Sequence, residues 1–384
     1  MLKRVVVAPD KFKGSLSATG VTARVTAGLA AAGFDGEIVR VPVADGGDGT
    51  VAAAVAAGYQ QVDLEVAGPV GDAVTASLAL LDGTAVIEAA QACGLMLLPA
   101  GEFAPLTATS RGVGELILAA DRMGARRIVL GVGGVATTDG GAGLLAALGA
   151  RLLDDERREL PAGGAALSRL AELDLSGLRD LSGVEFWLAS DVDNPLLGPD
   201  GAALVYGPQK GASGDDVRLL EAGLARWAGI AEAAAGTGVA DRSSPFPVAD
   251  QPGAGAAGGL GFAALLFLAA RMRPGIELVL ELASFADRLT GSRLVITGEG
   301  SLDAQTLHGK APVGVARAAA AHRPPVPVVA VAGRRTLSPA ELRAAGISAA
   351  YALTDIEPDV SRCMTNAGPL VERLAGLIAA DWLG

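Results

Sequence analysis

At 384 residues the chain exceeds what one ordinary hydrophobic core serves, so two domains are expected, with room for a third. Hydrophobic residues make up 51% and charged residues 19%, which excludes a disordered chain; aromatics are only 4% and glycines number 53, so the bulk is small and aliphatic, as in packed α/β layers joined by glycine-rich loops. A formal net charge of −11, with no basic run or stripe, sets the chain against nucleic acid.

In chain order, short apolar β-rich runs stand at 5–8 and 38–43, followed by helical patterns at 18–31 and 49–57. From 60 to 90 the runs QVDLEVAG, AVTASLALL and TAVIEAA, broken by GPVGD and DG, read as antiparallel strands with tight turns. A helix from Ser110, a strand at 127–130, a helix from Gly141, a strand at 184–189 and helices near 214–235 and 256–270 come next, with a Gly/Ser/Pro-rich loop at 236–259. Strands at 294–297, 326–331 and 349–353 then alternate with helices at 313–321, 339–345 and 369–382. The outer βα units have the content of a flavodoxin-like doubly wound parallel sheet. A second α/β domain interrupts it, giving a discontinuous domain of residues 1–60 and 291–384 around an insert of 61–290.

Cys93 and Cys363 have no metal-ligand spacing and form no disulfide framework, which points to a reducing, cytoplasmic setting. The apolar start of MLKRVVVAPDKF is too short for a signal peptide. The uncharged stretch 251–270 reaches spanning length, but its Gly/Ala-rich first half is weakly apolar, so a buried core helix is expected and no membrane association.

Ligands of an open parallel sheet lie outside the carboxyl ends of its strands, so chemistry is sought in the loop after each strand. The first strand leads into APDKFKGS, with Asp10, Lys11 and Lys13. The second leads into ADGGDGT, with Asp45 and Asp48. A later one leads into GEGSLDAQTLHGK, with Glu299 and Gly300 after Gly298, then Asp303, Gln305 and Lys310. Singly, each could be a turn that caps the next helix. Together they carry the mix phosphoryl transfer uses: lysines offset oxygen charge, carboxylates hold Mg2+ or take a hydroxyl proton, and glycines let amides approach phosphate. The lysines carry extra weight, because only five of the 31 basic residues are lysine and Lys11, Lys13, Lys210 and Lys310 all lie in glycine-rich loops.

The insert adds GVGGVATTDGGAG, whose Gly133, Gly134, Thr137, Thr138 and Asp139 could cradle a phosphate or cap a helix. TATSRG presents Ser110 and Arg111 as an anion clamp or a plain N-cap. ASDVDNPLLG places Asp191, Asp193 and Asn194 as a Mg2+ or substrate-hydroxyl site, or a turn. Gly131, Gly133 and Ala136, and separately Gly253, Gly255 and Gly258, give weak matches to dinucleotide-binding patterns, and no P-loop is present. A nicotinamide-dependent hydroxyacid dehydrogenase and a non-catalytic carboxylate-binding protein are the alternative readings.

The ordered blocks VVVAPDKFKGSLSA, VPVADGGDGT, QACGLMLL, TSRGVGELI, GGVATTDGGAG, SDVDNPLLGPDGA, YGPQKGA and ITGEGSLDAQTLHGKAPVGVA resemble the bacterial glycerate kinases of type I. That resemblance runs from the first strand to beyond residue 330. It implies a flavodoxin-like domain split by a restriction-endonuclease-like insert, and phosphorylation of D-glycerate by ATP with Mg2+, typically to 2-phosphoglycerate. The family often reads G-G-S-A-T-N-D-G-G where Val135 and Thr138 stand here. Residue roles are expected from chemistry: Asp45 or Asp191 as base or Mg2+ ligand, Asp48 as a further ligand, and Lys13 and Lys310 against phosphate or carboxylate charge. Asp10, Lys11, Ser110, Arg111, Asn194, Asp303 and Gln305 are expected at substrate. Gly133, Gly134, Thr137, Thr138, Asp139, Gly298, Glu299 and Gly300 are expected at nucleotide, in a cleft between the two domains. ATP and glycerate are thus the expected small-molecule partners, and a homodimer remains open.

Overall fold

The computed structural model describes residues 4–236 and 246–384; positions 237–245, within the loop expected at 236–259, lie outside the described residues. Its strands are β1 (Arg4–Pro9), β2 (Glu37–Arg40), β3 (Gln60–Ala67), β4 (Ala73–Leu81), β5 (Thr84–Glu88), β6 (Arg127–Gly131), β7 (Arg151–Leu153), β8 (Glu172–Asp174), β9 (Glu185–Ala189), β10 (Arg271–Arg273), β11 (Leu294–Leu302), β12 (Val328–Arg335) and β13 (Ala349–Ala352). The chain divides into two compact units, Met1–Asp45 with Ala52–Gly58 and Pro274–Gly384, and Gly46–Val51 with Tyr59–Arg273.

The first unit is built on an all-parallel sheet in the order β13-β12-β11-β1-β2. Its inner strands are apolar on both faces, because each face is covered. Val6, Ala8, Val295, Val328 and Ala330 turn to one core, and Val5, Val7, Ile296, Val329 and Val331 to the other. The helix Ala18–Ala31 starts where Ser17 Oγ accepts the Gly20 amide, and it crosses the helix Ala367–Trp382 at Gly28. A Cβ at Gly28 would stand 2.2 Å from the Glu372 carbonyl oxygen, so only glycine permits that approach. From β1 the chain moves outward to β2 and later returns on the other side at β11, so the carboxyl ends of β1 and β11 flank a topological switch point.

Two boundaries differ from the sequence reading. The chain re-enters this unit at Pro274 rather than 291, because helices Gly275–Leu282 and Phe285–Arg288 bury Ile276, Val279, Leu280 and Phe285 in the same core as Val295. The loop ADGGDGT is also divided, with Asp45 in the first unit and Asp48 in the second.

The second unit holds a mixed sheet in the order β10-β9-β6-β5-β4-β3, in which β3, β4 and β5 pair antiparallel and the rest parallel. The DG turn between β4 and β5 has both residues in the left-handed region, Asp82 at φ 47° and Gly83 at φ 76°, as a two-residue hairpin matched to strand twist requires. The core gathers Leu116, Ile128, Leu130, Trp227 and Phe262. The helix Gly214–Ala235 begins in a reciprocal cap between Ser213 and Asp216. The short antiparallel pair β7 and β8 is not expected from sequence, since three-residue strands carry almost no periodicity. The segment 251–270 is a buried helix only from about Leu260: Ala257, Gly258 and Gly259 have positive φ, and a Cβ at Gly258 would meet the Thr137 carbonyl oxygen at 2.1 Å. No described helix is long and apolar enough to cross a membrane.

Candidate active site

A pocket of about 500 Å3 opens in the first unit over the carboxyl ends of β1, β11, β12 and β13. Asp10, Lys11, Lys13, Asp45, Glu299, Gly300, Asp303, Gln305 and Lys310 all line it, so the three polar loops named from the sequence converge here. The first loop is held in shape by a tight reversal in which Phe12 and Leu16 exchange backbone hydrogen bonds at 2.8 and 3.0 Å, with Gly14 at φ 80°. Gly300 sits where the loop crosses: a Cβ there would be 3.3 Å from the Lys13 amide nitrogen.

The charges are packed closely enough to perturb one another. Asp10 is buried, and burial raises its carboxyl to about 6, countered by Lys11 and reinforced by Asp45. Its Oδ1 accepts the Lys11 amide at 2.6 Å, while Lys11 Nζ lies 3.7 Å from Asp10 Oδ1 and 3.9 Å from Asp45 Oδ1. Glu299 is also buried, and burial raises it to about 7; the Thr306 hydroxyl and Lys310 pull the other way, and Asp10 and Asp303 add to the rise. Thr306 Oγ1 donates to Glu299 Oε1. Lys310 Nζ donates to Gln305 Oε1 at 3.1 Å. Burial works to raise Asp303, but Ser301 Oγ at 2.9 Å, the Gln305 amide at 2.9 Å, Lys310 and Arg334 together hold it below the ordinary carboxylate range. Two buried carboxyls whose pKa values are raised to about 6 and about 7 can take up or release a proton near neutrality, and the lysine ammonium groups lining the same pocket can hold oxygen anions. Gly298 also serves strand packing, since a Cβ there would be 2.2 Å from the Val331 carbonyl oxygen.

In the second unit the expected site residues are engaged mainly with one another. Asp139 Oδ2 accepts the Ser110 amide at 2.8 Å, the Ser110 hydroxyl at 2.9 Å and the Gly143 amide at 3.2 Å, and Oδ1 accepts the Gly141 amide at 3.1 Å. Ser110 Oγ in turn accepts the Leu144 amide at 2.9 Å. Ser110 is fully buried and does not cap its own helix, contrary to the plain N-cap expected. Arg111 pairs with Glu115 on its own helix at 3.1 Å, half exposed. Thr137 Oγ1 donates to the Ala108 carbonyl oxygen, and the buried Lys210 donates to the Thr137 carbonyl oxygen at 2.6 Å, its pKa lowered by burial to about 8. Gly133 and Gly134 are close-packing positions, their Cβ sites 2.7 Å from Gly47 Cα and 2.7 Å from Asp48 Oδ1. After them the helix Ala142–Ala147 has only six residues, not the continuous helix of a dinucleotide fold.

Asn194 is held by its neighbours: Nδ2 donates to the Asp200 carbonyl oxygen at 2.8 Å, and Oδ1 accepts the Tyr206 hydroxyl at 2.6 Å. Asp191 and Asp193 are exposed. No group of three His, Cys, Asp or Glu side chains arranged to hold a metal occurs among the described residues.

Residues the sequence does not nominate include Thr306, which orients Glu299, and Glu88, whose Oε2 accepts the Gly49 and Val51 amides at 3.1 and 3.3 Å and whose pKa burial raises. Leu353, Val360, Cys363 and Met364 also line the pocket, as does Arg334; being apolar, the first four carry no sequence signal that separates them from core. Thr138 Oγ1 is buried without a hydrogen-bond partner. Replacing it with the isosteric valine removes an unsatisfied hydroxyl, so Thr138→Val is expected to leave thermal stability unchanged or raise it by up to ~1 kcal/mol. A loss of more than ~1 kcal/mol in urea unfolding would show that the hydroxyl is paired.

The model of the Glycerate kinase family matches residues 5–383. The chain is similar to a Bacillus subtilis (strain 168) glycerate kinase, 43% identical over 98% of this chain and 97% of that one. It is likewise similar to an Escherichia coli (strain K12) glycerate 2-kinase, 41% identical over 97% and 93%. A crystal structure from Salmonella typhimurium LT2, of a protein provisionally designated glycerate kinase 2, aligns with a TM-score of 0.82 and 40% identity, covering 99% of this chain and 98% of that one. With a family match along nearly its whole length and relatives above 40% identity, the chain belongs to the glycerate kinase family.

Proposed function

We propose that the chain phosphorylates D-glycerate with ATP, giving 2-phosphoglycerate and ADP, and that the transfer is carried out in the first unit's pocket. The observation that carries this placement is the pair of buried, near-neutral carboxyls, Asp10 and Glu299, set among Lys11, Lys13 and Lys310 at a topological switch point. A glycerate hydroxyl oxygen attacks the γ-phosphorus, the bond to the β–γ bridging oxygen breaks, and ADP leaves with that electron pair. The hydroxyl proton passes to Glu299, whose pKa of about 7 suits a base working near neutrality. Lys13 and Lys310 offset the charge on the transferring oxygens.

Mg2+ supplies charge neutralisation on the phosphates when bound with the nucleotide. Asp10 and Asp45 would hold it. Their carboxylates already face one cation position, each within 3.9 Å of the Lys11 ammonium, and Mg2+ takes one or two carboxylates beside phosphate oxygens rather than an all-protein cage. Asp48 and Asp191, in the second unit, are left without a metal role in this reading.

The strand order β2-β1-β11-β12-β13 supports a flavodoxin-like description of the first unit; a restriction-endonuclease-like second unit and a cytoplasmic setting complete the proposal. One coupled assay separates it from a nicotinamide-dependent dehydrogenase and from a carboxylate-binding protein. ADP release from ATP should require D-glycerate, with no nicotinamide absorbance change; glycerate-independent release, or binding without turnover, would overturn it.

A further inference from the structure

The proposed chemistry uses only one end of the pocket. The other end is apolar, made by the turn Leu353–Asp355 after β13 and the helix Val360–Thr365. Val360 and Met364 lie one turn apart on that helix and are 54% and 48% exposed, whereas Leu353 beside them is 1% exposed. Large apolar side chains standing open at a pocket mouth are unfavourable in the empty protein and mark a contact surface. This wall is continuous with the phosphate end, since Met364 Cε is 3.1 Å from the Cβ position of Gly14 in the loop that carries Lys11 and Lys13. Thr354 also lines this end and offers a hydroxyl there.

We propose that this apolar end is the nucleobase subsite, with the purine of ATP lying on Val360 and Met364 over Leu353 and its polar edge toward the Thr354 hydroxyl. The proposal rests on the kinase reading above. The pocket asks for a ligand that is polyanionic at one end and flat with apolar faces at the other. A nucleotide has that shape. Its phosphates belong at the β1/β11 switch point, and the same pocket takes in Gly333 and Arg334 of β12 and, beyond β13, the apolar wall. Glycerate, three carbons bearing a carboxylate and hydroxyls, has no face to cover such a wall. A thioether beside an aliphatic branch is a tolerant, polarisable seat for an aromatic ring.

The test compares ligands with and without a base in the full-length enzyme. The double variant Val360→Ser/Met364→Ser should raise the KM for ATP roughly tenfold, with no change in the KM for D-glycerate or in inhibition by inorganic tripolyphosphate, which has phosphates and no base. An unchanged KM for ATP, or a parallel weakening of tripolyphosphate, would overturn the subsite. Photolabelling of the wild-type protein with 8-azido-ATP is independent of how the variant folds: label within residues 353–364 supports the proposal, and label confined elsewhere contradicts it. Failure of the kinase reading looks different, because wild-type enzyme would then release no ADP on addition of glycerate.

Discussion

Replacing Glu299 with glutamine is expected to cut turnover by roughly 10²–10⁴-fold and at the same time to stabilise the protein at alkaline pH. Both effects have one cause. Burial lifts the carboxyl from 4.5 to about 7, so the fold carries a charge it solvates poorly, and in the proposed reaction that charge accepts the proton. The native state therefore binds more protons than the unfolded chain between these two values, and stability falls as pH rises through them. Below about 4.5 the group is protonated in both states and contributes no penalty; above about 7 the penalty is complete. Glutamine removes it while keeping an oxygen for the Thr306 hydroxyl, so a gain of roughly 1–3 kcal/mol at about pH 8 is expected, fading to nothing near pH 4. Urea unfolding at the two pH values, beside a turnover assay, checks both halves. A variant that loses activity and is also less stable at the alkaline pH would mean that Glu299 holds structure rather than stored electrostatic strain.

The largest loss of stability is expected from Trp227→Ala. Trp227 is fully buried, meets Phe262 edge-on at 6.2 Å and stacks on Phe267 at 6.3 Å. Its indole N–H donates to the Gly140 carbonyl oxygen at 3.0 Å, and the ring fills the space a side chain at Gly140 would need, with Cδ1 2.5 Å from that Cβ position. Truncation leaves a cavity and an unpaired carbonyl beside the Asp139 network, at a cost of roughly 3–5 kcal/mol. Trp227→Phe keeps most of the buried area and should lose roughly 1–3 kcal/mol, the cost of leaving the Gly140 carbonyl unpaired. Equal, small shifts in the urea midpoint for the two variants would contradict this ranking.

How much of the fold is legible in the sequence depends on the physics of each signal. Apolar runs such as RVVVAP, leading into polar glycine-rich loops, announce buried parallel strands with ligand-facing ends, and those loops do converge in the first unit. Helix Gly275–Leu282 escapes the sequence reading although GIELVLEL is amphipathic, because the next clear strand offers the more obvious boundary. The acids and hydroxyls of the second unit are ambiguous in sequence, since Ser110, Asp139 and Asn194 are the same residue types whether they bind a ligand or satisfy neighbouring amides. Only the folded arrangement shows that Asp139 already accepts four hydrogen bonds. Asp45 and Asp48, close together in one loop, look like one site, yet they belong to different units. Asp10 and Glu299 are visible as residues but not as the perturbed pair, because burial, which sets their protonation, is a property of the folded chain.

The dependence of kcat/KM on pH tests the central claim most directly, because it reports the protonation of the free enzyme. If Glu299 takes the hydroxyl proton, glycerate phosphorylation should decline on an acid limb with its midpoint near 7, and the Glu299→Gln enzyme should show its residual activity without that limb. A wild-type profile that stays flat from about pH 5.5 to about pH 8, or a limb that survives unchanged in the variant, would contradict the assignment of the reaction to this carboxyl and its pocket.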